Sequence, residues 1–219
     1  MSYPINIIHE KRVFSHTVIF ADFINMIIGL TGKYCAGKNH AADLLEKRGI
    51  PVLDVDKLGY QVLESEKEAI FAQFGNDLKR SDGALDRRLL GRIVFGKPEK
   101  LAILEGIVHP PVNRLTNEWI AAQKGAPCAI NAALLHRSSV FHTLDCIILV
   151  TAPFLTRFFR ARRRDRLPFR EILRRFASQK DFNTQYLSIK AEIYKVENHG
   201  YSGSQRLERR IDKIIEGFK

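Results

Sequence analysis

The sequence predicts an α/β fold with a parallel central sheet, and three observations between residues 26 and 56 carry that prediction. MIIGL at 26–30 is a short apolar run of the kind a strand buried on both faces requires. HAADLLEKRG at 40–49 places apolar residues at 41, 42, 44 and 45 and stops at Gly49, the pattern of an amphipathic helix with a glycine end. IPVLDVD at 50–56 is a second apolar run, ending in Asp54-Val55-Asp56. Strand, glycine loop, helix, strand is a βαβ unit, and such units build parallel sheets.

Length and composition bound what surrounds this unit. The 219 residues fit one compact domain, or a core with one inserted lobe. With 45% hydrophobic and 27% charged residues the chain is of globular composition, which argues against disordered, collagen-like, repeat or membrane-spanning architectures. Lys and Arg number 35 against 24 Asp and Glu, a net charge of +11, so an anionic partner is expected. Cys35, Cys128 and Cys146 form no CxxC pair and are read as reduced thiols, as in a cytoplasmic enzyme. The seven histidines show no HxxxH or HExxH spacing, so no structural zinc site is expected.

Residues 1–25 are read as an N-terminal extension outside the core. Their apolar stretch is interrupted by His16 and Asp22 and lacks a small-residue cleavage motif. It falls short of the roughly 18 to 20 apolar residues of a span, so it fits neither a signal peptide nor a membrane helix. A dispensable segment, an overlong start and an extra helix packed on the core remain open for it.

Gly32-Lys33-Tyr34-Cys35-Ala36-Gly37-Lys38 has the GxxxxGK frame of a phosphate-binding P-loop. Glycines let the backbone curl so that successive N–H groups point at phosphate oxygens. The next helix adds its positive N-terminal end, and Lys38 supplies a mobile charge for the β- and γ-phosphates. The position after the lysine, where Ser or Thr normally ligates Mg²⁺, holds Asn39, followed by His40. The Asn39 carbonyl oxygen is the candidate metal ligand in its place, directly or through water. A loop that binds nucleotide weakly, or without catalysis, is the competing reading.

Ligands of parallel sheets sit beyond the C-terminal strand ends. Read as the end of the second strand, Asp54 and Asp56 alternate onto one side and could share the cleft. Asp56 is the candidate general base for an attacking hydroxyl. For Asp54 a helix cap stands equally open.

Residues 57–125 are helix-rich by pattern, with a turn signal at Ser81-Asp82-Gly83 and breaks at Gly96-Lys97-Pro98 and His109-Pro110-Pro111. This stretch is read as an inserted acceptor-binding lobe with Phe71, Phe74, Leu89, Leu90, Val94, Phe95, Leu101 and Leu104 in its core. CAINAALL at 128–135 and LDCIILV at 144–150 return the chain to the sheet. Residues 157–175 then carry nine arginines against Asp165 and Glu171, the composition of a helical lid that closes over phosphate. Arg157, Arg160 and Arg164 lie three and four apart and share a helical face, while Phe158 and Phe159 are read as anchors of that helix. The expected division is therefore a P-loop core of 26–56, 126–156 and 186–219, an acceptor lobe of 57–125 and a lid of 157–185.

These elements, in this order, resemble the dephospho-coenzyme A kinases. GLTGKYCAGKNHAADLLEKRGIPVLDVDKLG looks like the family's opening, and SDGALDRRLLGRIVF, EGIVHPPV, Thr151-Ala152-Pro153, Arg164-Asp165, Ala177-Ser178-Gln179 and Asn198-His199-Gly200 resemble further elements of its pattern. The resemblance implies a three-layer P-loop kinase fold. It implies ATP-dependent phosphorylation of the ribose 3′-hydroxyl of dephospho-CoA, in coenzyme A biosynthesis, with Mg²⁺ accompanying ATP. By the same resemblance Gly32, Cys35, Ala36, Gly37, Lys38, Asn39, His40 and Asn198 bind ATP. Lys38, Asp56, Arg160 and Arg164 act in transfer, and His109 with Asp56 serves the acceptor.

Two departures stand out. Asn39-His40 replaces the usual residues after the lysine, and Asn131-Ala132-Ala133-Leu134-Leu135-His136-Arg137 replaces a stretch in which the family carries an acid and a proline. If that acid is needed, another group such as Asp54 must take its place. Alternatives kept open are another small-molecule P-loop kinase, a nucleotide-binding relative impaired through Asn39, and a nucleic-acid-binding protein. The last lacks any recognisable binding motif, so no nucleic-acid partner is expected, nor a membrane. The oligomeric state stays open.

Overall fold

In the computed structural model, five parallel strands form one sheet in the order β2-β3-β1-β4-β5. The described residues are 26–177, 179, 182, 190–199 and 201–217. The extension expected at 1–25, Ser178, Gly200 and part of the expected lid lie outside them. The strands are β1 (Ile27–Gly32), β2 (Val52–Asp54), β3 (Cys128–Asn131), β4 (Cys146–Thr151) and β5 (Glu192–Glu197).

Period-2 alternation divides the strand side chains between two faces. Ile28, Leu30, Ile148, Val150 and Val196 bury one face against α1 (Lys38–Glu46) and α8 (Tyr201–Gly217). The four apolar positions of α1 expected from its pattern, Ala41, Ala42, Leu44 and Leu45, are all buried there. Ile130, Ile147 and Leu149 bury the other face with Leu135 and Phe141, while Trp119 and Ile120 of α5 (Pro98–Ala122) pack against them. Helix, sheet and helix thus give the expected three-layer α/β architecture.

Between β2 and β3 the chain forms α2 (Val55–Ser65), α3 (Lys67–Phe74), α4 (Arg87–Val94) and α5. Ile70, Phe71, Leu78, Leu85, Leu90 and Val94 make a separate apolar core, with Phe74, Leu89 and Leu104 packed against it. The turn expected at Ser81-Asp82-Gly83 is present. Gly83 adopts φ 78°, and Arg80 and Ala84 are joined across it.

Several expectations need correction. Phe95 is 76% exposed and Leu101 37% exposed, so neither belongs to this core. Phe95 follows the last turn of α4 in extended backbone leading to Gly96, and the neighbours of Leu101 at the start of α5 are all exposed. His109-Pro110-Pro111 is no break, because α5 runs 25 residues through it. A proline inside a helix loses one hydrogen bond and crowds the carbonyl four residues back. At Pro110 that residue is Gly106, which carries no side chain to add to the crowding. The break at 96–98 does occur, with Pro98 opening α5.

After β4, α6 (Phe154–Asp165) and α7 (Phe169–Ala177) carry the arginine-rich segment. Phe158 anchors α6, stacked on Phe154 and edge-on to Phe169. Phe159, one residue and about 100° further round, is 66% exposed and anchors nothing. Among the described residues no helix is long and apolar enough to cross a membrane. All three cysteines are free thiols, and burial pushes Cys128 up to about 11 and Cys146 to about 12.

Candidate active site

Strand β1 lies in the middle of the sheet, with β3 on one side and β4 on the other, so the chain leaving its C-terminal end enters the crevice where ligands of parallel sheets bind. The loop there requires two glycines for different reasons. Gly32 is paired with Val150, and a Cβ at 32 would stand 2.5 Å from the Val150 carbonyl oxygen. Gly37 caps α1 with φ 103°, in the left-handed region, and a Cβ there would stand 2.2 Å from Asn198 Nδ2.

The loop is held from behind by buried polar contacts. Asn198, 4% exposed at the end of β5, donates from Nδ2 to the Ala36 carbonyl at 3.0 Å. Arg160 of α6 donates to the same carbonyl at 3.1 Å and to Asn198 Oδ1 at 3.0 Å. Arg157 donates to the Ala152 carbonyl at 3.2 Å and lies over the Phe176 ring. Burial lowers the pKa of both guanidiniums. Tyr34, in the loop, donates its hydroxyl to Asp165, and its backbone N–H donates to Gln179 Oε1 at 2.7 Å. Arg164 pairs with Asp165 at 2.6 Å and lies over the Tyr34 ring. That hydrogen bond raises the Arg164 pKa and holds the Asp165 carboxyl below the usual carboxylate range. The shared face expected for Arg157, Arg160 and Arg164 is therefore the one turned toward the loop.

In front of the loop stand Lys38 and Asp56. Lys38 Nζ lies 2.5 Å from Asp56 Oδ2 and donates to Asn131 Oδ1 at 3.1 Å. Asp56 also accepts from the Ala133 N–H at 3.3 Å. The second strand ends at Asp54, and Asp56 occupies the first turn of α2, so strand alternation does not relate the two acids. Asp54 is the cap of α2, accepting from the Lys57 N–H at 3.0 Å. One oxygen of its carboxylate, Oδ1, is engaged in that role.

Asn39 and His40 lie in the first turn of α1, Asn39 exposed and His40 half-buried. Asn131 Nδ2 donates to Asn39 Oδ1 at 3.4 Å. In the sequence the mark of Asn131 is a polar residue closing the apolar run of β3. The oxygens of Asn39 and Asp56 are hard donors beside the lysine, while Asn131 Oδ1 is taken by Lys38 Nζ. Among the described residues no three His, Cys, Asp or Glu are grouped to hold one.

Two cavities flank this center. One, of about 300 Å³, is walled by Val55, Tyr60, Leu63, Leu104, Val112 and Leu134, with Asp56 and His109 among its polar groups. Glu105 and Arg137 in its rim pair at 2.7 Å. The other, of about 280 Å³, lies at the ends of β4 and β5, between Lys33, Arg157, Lys195 and Glu197. His109 thus faces the same space as Asp56, whereas Arg160, Arg164 and Asn198 reach the loop from its other side.

A glycine loop after a central parallel strand, a lysine at the head of the next helix and a carboxylate between that lysine and an apolar cavity define a P-loop phosphotransferase. Comparison with known proteins narrows the class. The family model for CoaE, dephospho-CoA kinase, matches residues 26–198. The dephospho-CoA kinase of Treponema pallidum is 36% identical over 199 residues, covering 86% of this chain and 93% of that protein. The enzyme of the same name from Shouchella clausii is 39% identical over 160 residues, covering 70% and 81%. The crystal structure of TT1252 from Thermus thermophilus superposes with a TM-score of 0.76 at 32% identity, covering 90% of this chain and 99% of that one. The chain belongs to the dephospho-CoA kinase family.

Proposed function

We propose that the chain catalyses transfer of the γ-phosphoryl group of ATP to the ribose 3′-hydroxyl of dephospho-CoA, giving coenzyme A and ADP. The family membership supports this reading, and one observation carries it into the site: Asp56 touches Lys38 and also lines the apolar cavity. That carboxylate is the group common to phosphate loop and cavity.

The 3′ oxygen attacks the γ-phosphorus, the bond to the β–γ bridging oxygen breaks, and that oxygen leaves with ADP. The hydroxyl proton passes to Asp56. Lys38 moves with the phosphates it binds, so arrival of ATP draws the ammonium from Asp56 and leaves the carboxylate ready to accept that proton. The loop N–H groups and the N-terminal end of α1 meet the β-phosphate. Arg160 and Asn198 keep the loop in the curl this requires. Arg160 and Arg164, with Arg157 on the same helical face, are the guanidiniums assigned to stabilise the transferring charge as the lid closes. The cavity between Lys33 and Arg157 takes the nucleoside of ATP, and the one beside Asp56 and His109 takes the acceptor.

Mg²⁺ fits this donor set. It keeps few protein ligands and takes the remainder from phosphates and water, and the carboxamide oxygen of Asn39 is of the required hard kind. Held there, it would supply charge neutralisation for the transferring phosphates. We assign residues 57–125 as the acceptor lobe and 157–185 as the lid on the same reasoning. No nucleic-acid role is proposed, since Arg157, Arg160 and Arg164 are engaged with the loop, Tyr34 and Asp165.

The test is incubation with ATP, Mg²⁺ and dephospho-CoA, with chromatographic detection of CoA and ADP. Stoichiometric appearance of both is expected. ADP without CoA, or faster turnover of shikimate or a nucleoside monophosphate, overturns the reading.

A further inference from the structure

A P-loop site commonly holds its metal through a hydroxyl following the lysine and a carboxylate from a neighbouring strand. In this chain the residue after the lysine is Asn39, and the residue closing the strand next to β1 is Asn131. The two are 92 positions apart in sequence, yet Asn131 Nδ2 donates to Asn39 Oδ1 at 3.4 Å. The other end of the same amide accepts from Lys38 Nζ at 3.1 Å. Asn131 is 2% exposed, so packing and these two bonds fix its side chain. Lysine can only donate, so it selects Oδ1, and the amide nitrogen is left facing Asn39.

We propose that Asn131 is a positioning residue for phosphoryl transfer, acting through Lys38, and that Asn39 and Asn131 work as one neutral pair in place of a hydroxyl and a carboxylate. The inference rests on the phosphotransferase reading of the site. A carboxylate at 131 would give Lys38 a second anionic partner besides Asp56 and hold the ammonium back from the phosphates. It would also turn an acceptor toward Asn39 Oδ1, where an N–H now donates. A hydroxyl at 39 can donate to a carboxylate at 131, which Asn39 does only by turning its amide over. Each residue is thus matched to the other in the present orientation, and a carboxylate at 131 disturbs both Asn39 and Lys38.

Two double-mutant cycles test this, read as binding of a fluorescent ATP analogue with EDTA and with Mg²⁺, so that neither needs the acceptor. In the first, Asn131→Ala weakens metal-free binding by about five-fold in the native background but by less than about two-fold in Lys38→Ala. Equal losses in both backgrounds overturn the positioning role. In the second, the extra affinity conferred by Mg²⁺ is compared for Asn39→Ser, Asn131→Asp and the double variant. The double variant is expected to exceed the product of the singles by about ten-fold, and additivity within about two-fold overturns the pair. Coupled cycles in a protein that makes no CoA would sink the assignment of the acceptor while leaving this inference standing.

Discussion

Lys38 Nζ stands 2.5 Å from Asp56 Oδ2, joining the head of the helix after the phosphate loop to the first turn of the helix after β2. The Asp56 side chain is 42% exposed, so the pair contributes little to stability, on the order of 0 to 1 kcal/mol. Its consequence is chemical. In the proposed mechanism the lysine assigned to phosphate covers the carboxylate assigned to the proton, which would couple the two substrates through one contact.

Asp56→Asn is expected to lower kcat by about 10²- to 10⁴-fold, as loss of a general base does. Binding of ATP should be retained or tightened, because Lys38 loses its competing partner. Steady-state CoA formation and calorimetric ATP binding check the two halves. Full activity in the variant would remove Asp56 from the mechanism.

Gly37→Ala should weaken ATP binding by about ten-fold or more without unfolding the sheet. The left-handed conformation at φ 103° costs a non-glycine residue about 1 kcal/mol, and the added methyl would displace Asn198 from the Ala36 carbonyl. Equilibrium nucleotide binding together with circular dichroism reads both effects. Native affinity would show that the loop does not need this curl.

His109→Ala is expected to raise KM for dephospho-CoA several-fold, leaving KM for ATP within about two-fold. His109 lines the cavity beside Asp56, a cavity whose lining includes no residue of 32–38. A change confined to KM for ATP would reverse the assignment of the two cavities.

Asp165 supplies a pH dependence of stability. The hydrogen bond from Arg164, foremost, and that from Tyr34 lower its pKa below the ordinary 3.8. A depressed folded-state value means that the contribution is fully present above the ordinary pKa and is lost as pH falls through the folded value. Asp165→Asn should therefore lower stability by about 1 kcal/mol at pH 7, and the gap to native protein should close below about pH 3.8. Thermal melts of both proteins from pH 7 to pH 3 measure this. A gap that widens on acidification would contradict the lid-to-loop contact.

The parts of this site that were legible in the sequence are those encoded by local pattern. The GxxxxGK spacing and the common face of Arg157, Arg160 and Arg164 depend on residues within one or two turns of one another, and each element of the βαβ unit on its own periodicity. The misreadings arose where local pattern was ambiguous. Asp56 could prolong a strand or begin a helix, and the helix prevailed because Asp54 accepts from the Lys57 N–H and caps it. Pro110-Pro111 would ordinarily end a helix, yet α5 continues through them, with buried Pro111 and Val112 packed in the fold.

What the sequence by itself determined is the class of chemistry, because a phosphate cradle is built from consecutive backbone N–H groups and one nearby lysine. What only the tertiary structure decided is which distant groups complete it. Asn131 meets Lys38 across 93 positions, Tyr34 meets Asp165 across 131, and Asn198 meets Ala36 across 162. These meetings follow from the strand order, which brings the ends of β3, β4 and β5 around the end of β1. Side-chain spacing along the chain carries no record of that order, since the sheet is assembled by hydrogen bonds between strands far apart in sequence.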